Sequence, residues 1–205
     1  MLRYAFLVCS FWFINCQLFA QNINFLNLFT STQIKAANTA KEVSYLSIEE
    51  KKVFLIINLV RMNPQIFNEV VINYKGIPNY SNDFIQNRKY VRSLSNNLLK
   101  MEALEPIYPS KELWLLAKCH AIKSGKKGLL GHKRTGCKEL VYSQSECCSY
   151  GLEFAVDIVI QLLIDHNIVD LGHRKIILDE RQRYLGVSIK NHKQYRYNAV
   201  LDFSF

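Results

Sequence analysis

The chain lacks the compact patterns by which many sites announce themselves. Its six cysteines show no Cys-x-x-Cys spacing, which removes the common structural zinc clusters. No His-Glu-x-x-His helix supports a metalloprotease, and no Gly-x-Ser-x-Gly elbow supports a serine hydrolase. Lys and Arg are scattered, with pairs such as Lys126-Lys127 and Lys133-Arg134 but no long basic run. That distribution and the absence of a recognition motif argue against nucleic-acid binding. No apolar run approaches the roughly 20 residues needed to span a bilayer, and no internal repeat is visible.

What is present is ordinary globular material. The 205 residues are 49% hydrophobic and 21% charged, enough for one domain with a substantial core and a processed end. Lys and Arg outnumber Asp and Glu, 26 to 17, giving a net charge of +9. A solvated basic surface is expected, capable of electrostatic contact with anionic surfaces, on a monomer.

The N-terminus reads as a secretory signal over residues 1–20. Arg3 supplies the positive end, Tyr4 to Ile14 is an apolar core broken only by Ser10, and Leu18-Phe19-Ala20 offers a small residue before Gln21. A secreted or cell-envelope location follows. Lipid attachment at Cys16 is disfavoured, because Phe13-Ile14-Asn15 lacks the small residues that this modification needs. Removing the signal takes Cys9 and Cys16 and leaves Cys119, Cys137, Cys147 and Cys148. An even number in an exported chain suggests disulfides, with three possible pairings. Neighbouring cysteines rarely bond each other, so Cys147 and Cys148 are each expected to pair with Cys119 or Cys137; the alternative is free, buried thiols.

Residues 21–46 carry no clear period and read as a loosely ordered leader; residues 47–205 read as the domain. Ser47 and Glu50 form a capping-box signature, and Val53, Phe54, Ile57 and Val60 suit a buried helix closed by Asn63-Pro64. Residues 73–97 read as a long surface connection with a short helix near Tyr90 to Leu94. Ser110 caps the next helix, on which Leu113, Leu116, Ala117 and His120 share a face, with Gly125 and Gly128 at its end. His120 reads as a satisfied core histidine there. Residues 131–136 and 145–151 read as loops, and Phe154 to Ile164 as a buried helix. Tyr184 to Ile189 and Tyr195 to Phe205 read as paired strands about a turn at Asn191 to Lys193. His166 and His192 read as exposed helix-end and turn residues. Helices first and a hairpin last imply an α+β fold.

The most distinctive stretch runs from Gln161 to Leu178. An apolar segment ends in Asp165-His166, and Gly172-His173-Arg174 then opens a second apolar run. With Ala117-Lys-Cys-His120, Gly131-His132, Ser145-Glu146-Cys147 and Val200-Leu-Asp-Phe203, this order resembles the CAP superfamily, the cysteine-rich secretory, antigen 5 and pathogenesis-related proteins, in its bacterial-type branch. The resemblance covers roughly Ile48 to Phe205. It implies a three-layer α-β-α sandwich, a small antiparallel central sheet flanked by helices, with a cleft holding two histidines and two acids. His132 matches the first histidine, Glu146 the first acid and His173 the second histidine. Asp165 is the nearest match to the second acid, usually Glu, and Ser145-Glu146-Cys147 replaces the usual Gly-Glu-Asn. Such a tetrad suits zinc or another divalent cation.

The resemblance implies no single reaction. The leading expectation is a secreted, non-catalytic binding module whose partner is a lipid, glycan or protein. The alternative is a metal-dependent, peptidase-like hydrolase using the same cleft. A third reading is a structural envelope protein held to anionic surfaces by its basic face.

Overall fold

The structure, a computed structural model, describes residues 24–77 and 83–205. The expected signal segment lies outside the described residues. A 3-10 turn at Asn24–Leu28 leads into α1 (Ser31–Ala37), opened by a capping box in which Thr30 and Gln33 satisfy each other's backbone N–H groups. The segment read as a loosely ordered leader is therefore built into the core. Its few apolar residues set no period, yet Phe29, Ala37, Ala40 and Leu46 are all buried. They pack on α2 (Ile48–Met62), and Asn58 of α2 fixes them there, its Nδ2 donating to the Ala37 and Ile107 carbonyls at 2.9 and 3.0 Å.

The Ser47–Glu50 capping box starts α2 as expected, and Asn63-Pro64 ends it and opens α3 (Pro64–Asn73). After α4 (Asp83–Gln86), α5 (Arg88–Lys100) corrects the surface connection read from the sequence. It is a full helix of 13 residues whose Val91, Leu94 and Leu98 are buried at helical spacing among charged and Asn residues that mask the period.

Next come β1 (Tyr108–Pro109), α6 (Lys111–Lys127), β2 (Gln144–Tyr150), α7 (Ala155–Ile164), α8 (Gly172–Ile177), β3 (Tyr184–His192) and β4 (Arg196–Ser204). The segment 145–151, read as loop, falls in strand β2 up to Tyr150: β2 pairs antiparallel with β4, Glu146 opposite Asp202 and Cys148 opposite Val200. The sheet order is β1-β3-β4-β2, with the two-residue β1 added parallel to β3 at one edge.

Three layers result, the α+β sandwich expected. Leu185, Val187, Ala199, Leu201, Phe203 and Cys147 face the large core under α2 and α7, while Val200 and Cys148 face α6 with Ala117 and Ala121. Helix α6 lies almost on the strand backbone. A Cβ on Gly186 of β3 would stand 2.1 Å from the Leu113 and Trp114 backbone, and one on Gly125 of α6 would stand 2.3 Å from the Asn191 carbonyl oxygen. Two glycines, one on each element, permit this approach.

Buried arginines join the layers. Arg61 is fully buried and donates to the carbonyls of Glu105, Ile177, Asp179 and Gln182 at 2.8–3.2 Å. His192 is likewise no exposed turn residue: it ends β3 at 3% exposure. Its Nε2 donates to the Leu129 carbonyl at 3.1 Å, and its Nδ1 accepts from the Gln194 and Tyr195 N–H groups. His166 is half-buried, edge-on to Tyr90. No described helix is long and apolar enough to cross a membrane.

Candidate functional site

The site forms where α6, β2, β4 and the turn between α7 and α8 meet. A single disulfide among the described residues, Cys119–Cys137, ties α6 to the loop that follows it. This corrects the expected pairing with Cys147 or Cys148, which are both free and buried. Consecutive residues of a strand point to opposite faces, so Cys147 enters the large core and Cys148 turns toward α6. Burial pushes both thiols well above their ordinary pKa, leaving them protonated rather than nucleophilic.

The first half of the site hangs on Glu146. The Tyr150 hydroxyl accepts from the Gly131 N–H at 2.9 Å and fixes the loop that carries His132. His132 Nδ1 meets Glu146 Oε1 at 2.8 Å, while 60% of the His132 side chain remains exposed. Behind this pair, Arg134 is buried, and one of its terminal nitrogens donates both to Glu146 Oε2 and to Asp202 Oδ1. His120 of α6, buried as expected, donates from Nε2 to the Gly131 carbonyl at 3.1 Å and stands 3.9 Å from Glu146 Oε1.

The electrostatics follow from this contact order. Burial pushes Glu146 toward its neutral form, but the His132 hydrogen bond and the Arg134 charge prevail and hold it below the ordinary carboxylate value. The Glu146 bond in turn raises His132 against the opposing effect of burial. Asp202, more enclosed, is pushed up to about 7 by desolvation in spite of Arg134.

The second half hangs on Asp165. Helix α7 ends as Asp165 takes left-handed dihedrals, φ 56 and ψ 45, a region that Asp tolerates better than most residues. Its Oδ1 meets His173 Nδ1 at 2.7 Å, and its Oδ2 accepts the Arg174 N–H at 3.2 Å. An acid at a helix C-terminus opposes the helix dipole. Buried Arg174 offsets this by donating to the Leu163 and Ile164 carbonyls at 2.6 and 2.9 Å, while another nitrogen reaches Ser93 Oγ of α5.

The two His–carboxylate pairs face each other, with the rings of His132 and His173 centred 6.5 Å apart. A cleft of about 350 Å³ lies beside the His173–Asp165 pair, lined in part by Phe84, Cys148, Tyr150, Gln161, Asp165 and His173. In each pair Nδ1 is held by a carboxylate, which leaves Nε2 for a ligand and fixes the ring's orientation, an arrangement common around metal-ligating histidines. The two outer Nε2 atoms, with Glu146 and Asp165 behind the rings, are the atoms that could be offered to a divalent cation here. Separately, one ligand atom each from His120, Glu146 and Cys148 lie within 4.8 Å of one another, and all three residues are buried.

Sequence reasoning singles out His132, Glu146, His173 and Asp165, and the fold assembles them as two bonded pairs. It misses Arg134 and Asp202. Arg134 sits in a Lys-Arg pair indistinguishable from solvated surface charge, and Asp202 is an isolated acid in an apolar strand. Only the pairing of β2 with β4 shows that Asp202 lies beside Glu146.

No protein-family model and no curated protein matches the chain. Among solved structures, it is similar to an outer surface protein from Borrelia burgdorferi, at 17% identity and a TM-score of 0.40, over 63% of this chain and 97% of that one. It is also similar to a cysteine-rich secretory protein from Staphylococcus aureus, at 14% identity and a TM-score of 0.34. That match covers 58% of this chain and 40% of the other. The second protein bears the name of the family that the sequence motifs resemble. At these scores neither likeness assigns chemistry to this chain, which rests on its own residues.

Proposed function

We propose that the chain is an exported, non-catalytic binding domain of the CAP type, whose cleft takes a divalent cation, zinc being the best fit to an imidazole donor set. The observation that carries this reading is the approach of the His132–Glu146 pair to the His173–Asp165 pair, with the two rings centred 6.5 Å apart. When bound, the cation would supply a charged anchor for an oxygen-bearing ligand and a Lewis acid for a water. The protein's own groups orient the imidazoles and leave their outer nitrogens free. A non-catalytic role is favoured because the two buried thiols are protonated and the acids are committed to histidines and arginines. Export is supported by the N-terminal signal pattern and the Cys119–Cys137 disulfide.

Zinc titration by calorimetry tests the reading, on the mature oxidised protein beside the His132→Ala/His173→Ala double variant. The wild type is expected to bind one more equivalent of zinc than the variant. Equal binding by both would end the proposal. Hydrolysis of a peptide library by the zinc-loaded wild type alone would favour the metal-dependent hydrolase instead.

A further inference from the structure

Behind the His132–His173 pair lies a second group of ligating atoms, which shares Glu146 with the first and adds His120 and Cys148. We infer that His120, Glu146 and Cys148 form an inner, thiolate-containing site for a thiophilic divalent cation such as zinc. The inference does not depend on cation binding by the outer pair.

Three observations carry it. First, the ligand atoms come from one side of the sheet, His120 from α6, which packs on β3 and β4, and Glu146 and Cys148 from successive same-face positions of the neighbouring strand β2. All lie within 4.8 Å of one another. Metal–ligand distances of about 2.0–2.3 Å set ligand–ligand edges of roughly 3.3–3.7 Å in a tetrahedral site. The 3.9 Å between His120 Nε2 and Glu146 Oε1 is already near that. Second, the two Glu146 oxygens are divided between roles: Oε2 belongs to Arg134, while Oε1 faces His120 and His132. Third, Glu146 and Asp202 share the single guanidinium of Arg134, so a divalent cation at Glu146 Oε1 would add positive charge to a buried acid-rich group.

Access and adjustment are both provided. Cys148 lines the 350 Å³ cleft, so an ion entering there reaches its sulfur. On ligation, the Cys148 thiol releases its proton to solvent and His120 carries its N–H on Nδ1 instead of Nε2. The Gly131 carbonyl that accepts from His120 must then turn away. Gly131 stands at φ +82, and as a glycine it has access to the backbone conformations that such a turn of the carbonyl needs. Three protein ligands leave a fourth position open to water.

Cobalt(II) is the probe, titrated into the mature full chain with Cys119–Cys137 intact. A near-ultraviolet thiolate-to-cobalt charge-transfer band saturating at one equivalent is expected. It should vanish in Cys148→Ser and His120→Gln and persist in Cys147→Ser and His173→Ala. Absence of the band in the wild type, or its survival in Cys148→Ser, overturns the inference. Substitutions on β2 risk the fold, so X-ray absorption of the zinc-loaded wild type gives an independent reading: a sulfur scatterer near about 2.3 Å supports the site, and a shell of nitrogen and oxygen alone sinks it. Binding without sulfur that is lost in His132→Ala/His173→Ala would leave the outer site standing and remove this one.

Discussion

At the residue scale, the site is governed by which groups share Arg134. One guanidinium stands between Glu146 and Asp202, both buried, and its removal leaves two carboxylates confronting each other across β2 and β4. Breaking a buried pair by deleting one partner typically costs about 3–5 kcal/mol. Arg134→Met is therefore expected to destabilise the protein by that order in urea unfolding at pH 7, and Arg134→Met/Asp202→Asn to recover a substantial part. A second residue-scale prediction concerns Asp157, whose carboxylate accepts from the Tyr74 hydroxyl at 2.5 Å. Burial raises its pKa from 3.8 to about 6, against the Tyr74 bond. The folded state thus binds the proton more tightly than the unfolded chain between those values. The stability this contributes is complete below about pH 4 and is lost as pH rises through 6. Relative to Asp157→Asn, wild-type stability should fall by about 3 kcal/mol across that window. Chemical denaturation at closely spaced pH values measures it, and parallel curves for the two proteins would show that Asp157 does not titrate in this way.

At the scale of elements, the close seat of α6 on β3 holds the helix that carries His120 against the sheet. Gly186 permits that seat, since a Cβ there would overlap the helix backbone at 2.1 Å. A clash with main chain cannot be relieved by a rotamer change. Gly186→Ala is expected to destabilise by about 3 kcal/mol or more, at the upper end of ordinary overpacking, as thermal unfolding would register. Sequence patterns reveal those elements whose apolar period is unbroken. Helix α2 with its capping box, α7, and the β3–β4 hairpin are all readable, because each has one continuous buried face. Strand β2 is not, because Gln144-Ser-Glu-Cys-Cys-Ser-Tyr150 buries acid and thiol instead of aliphatic residues. Helices α1 and α5 are hidden by the opposite effect: a few buried side chains among many polar ones. The site histidines and acids are legible through the resemblance alone, and their partners Arg134 and Asp202 only through strand register.

At the scale of the whole molecule, the disulfide and the free thiols divide the chain's redox behaviour. Cys119–Cys137 closes a loop over a sequence separation of 18, and cross-links of this length are worth about 3 kcal/mol in the chain-entropy account. Reduction should lower the unfolding midpoint accordingly, with the native fold retained. Alkylation of the mature oxidised protein should label Cys147 only after denaturation, since it is fully enclosed in the large core; mass spectrometry of the adducts reads this.

The two His–carboxylate pairs, brought together by the α7–α8 turn and the loop after α6, are proposed to form one cation site. Anomalous diffraction at the zinc edge, from crystals of the mature protein equilibrated with zinc, tests it most directly. The account predicts an anomalous peak between the His132 and His173 rings, within about 2.0–2.1 Å of Nε2 of each. Zinc peaks confined to other surfaces, with no density between those two rings, would contradict it.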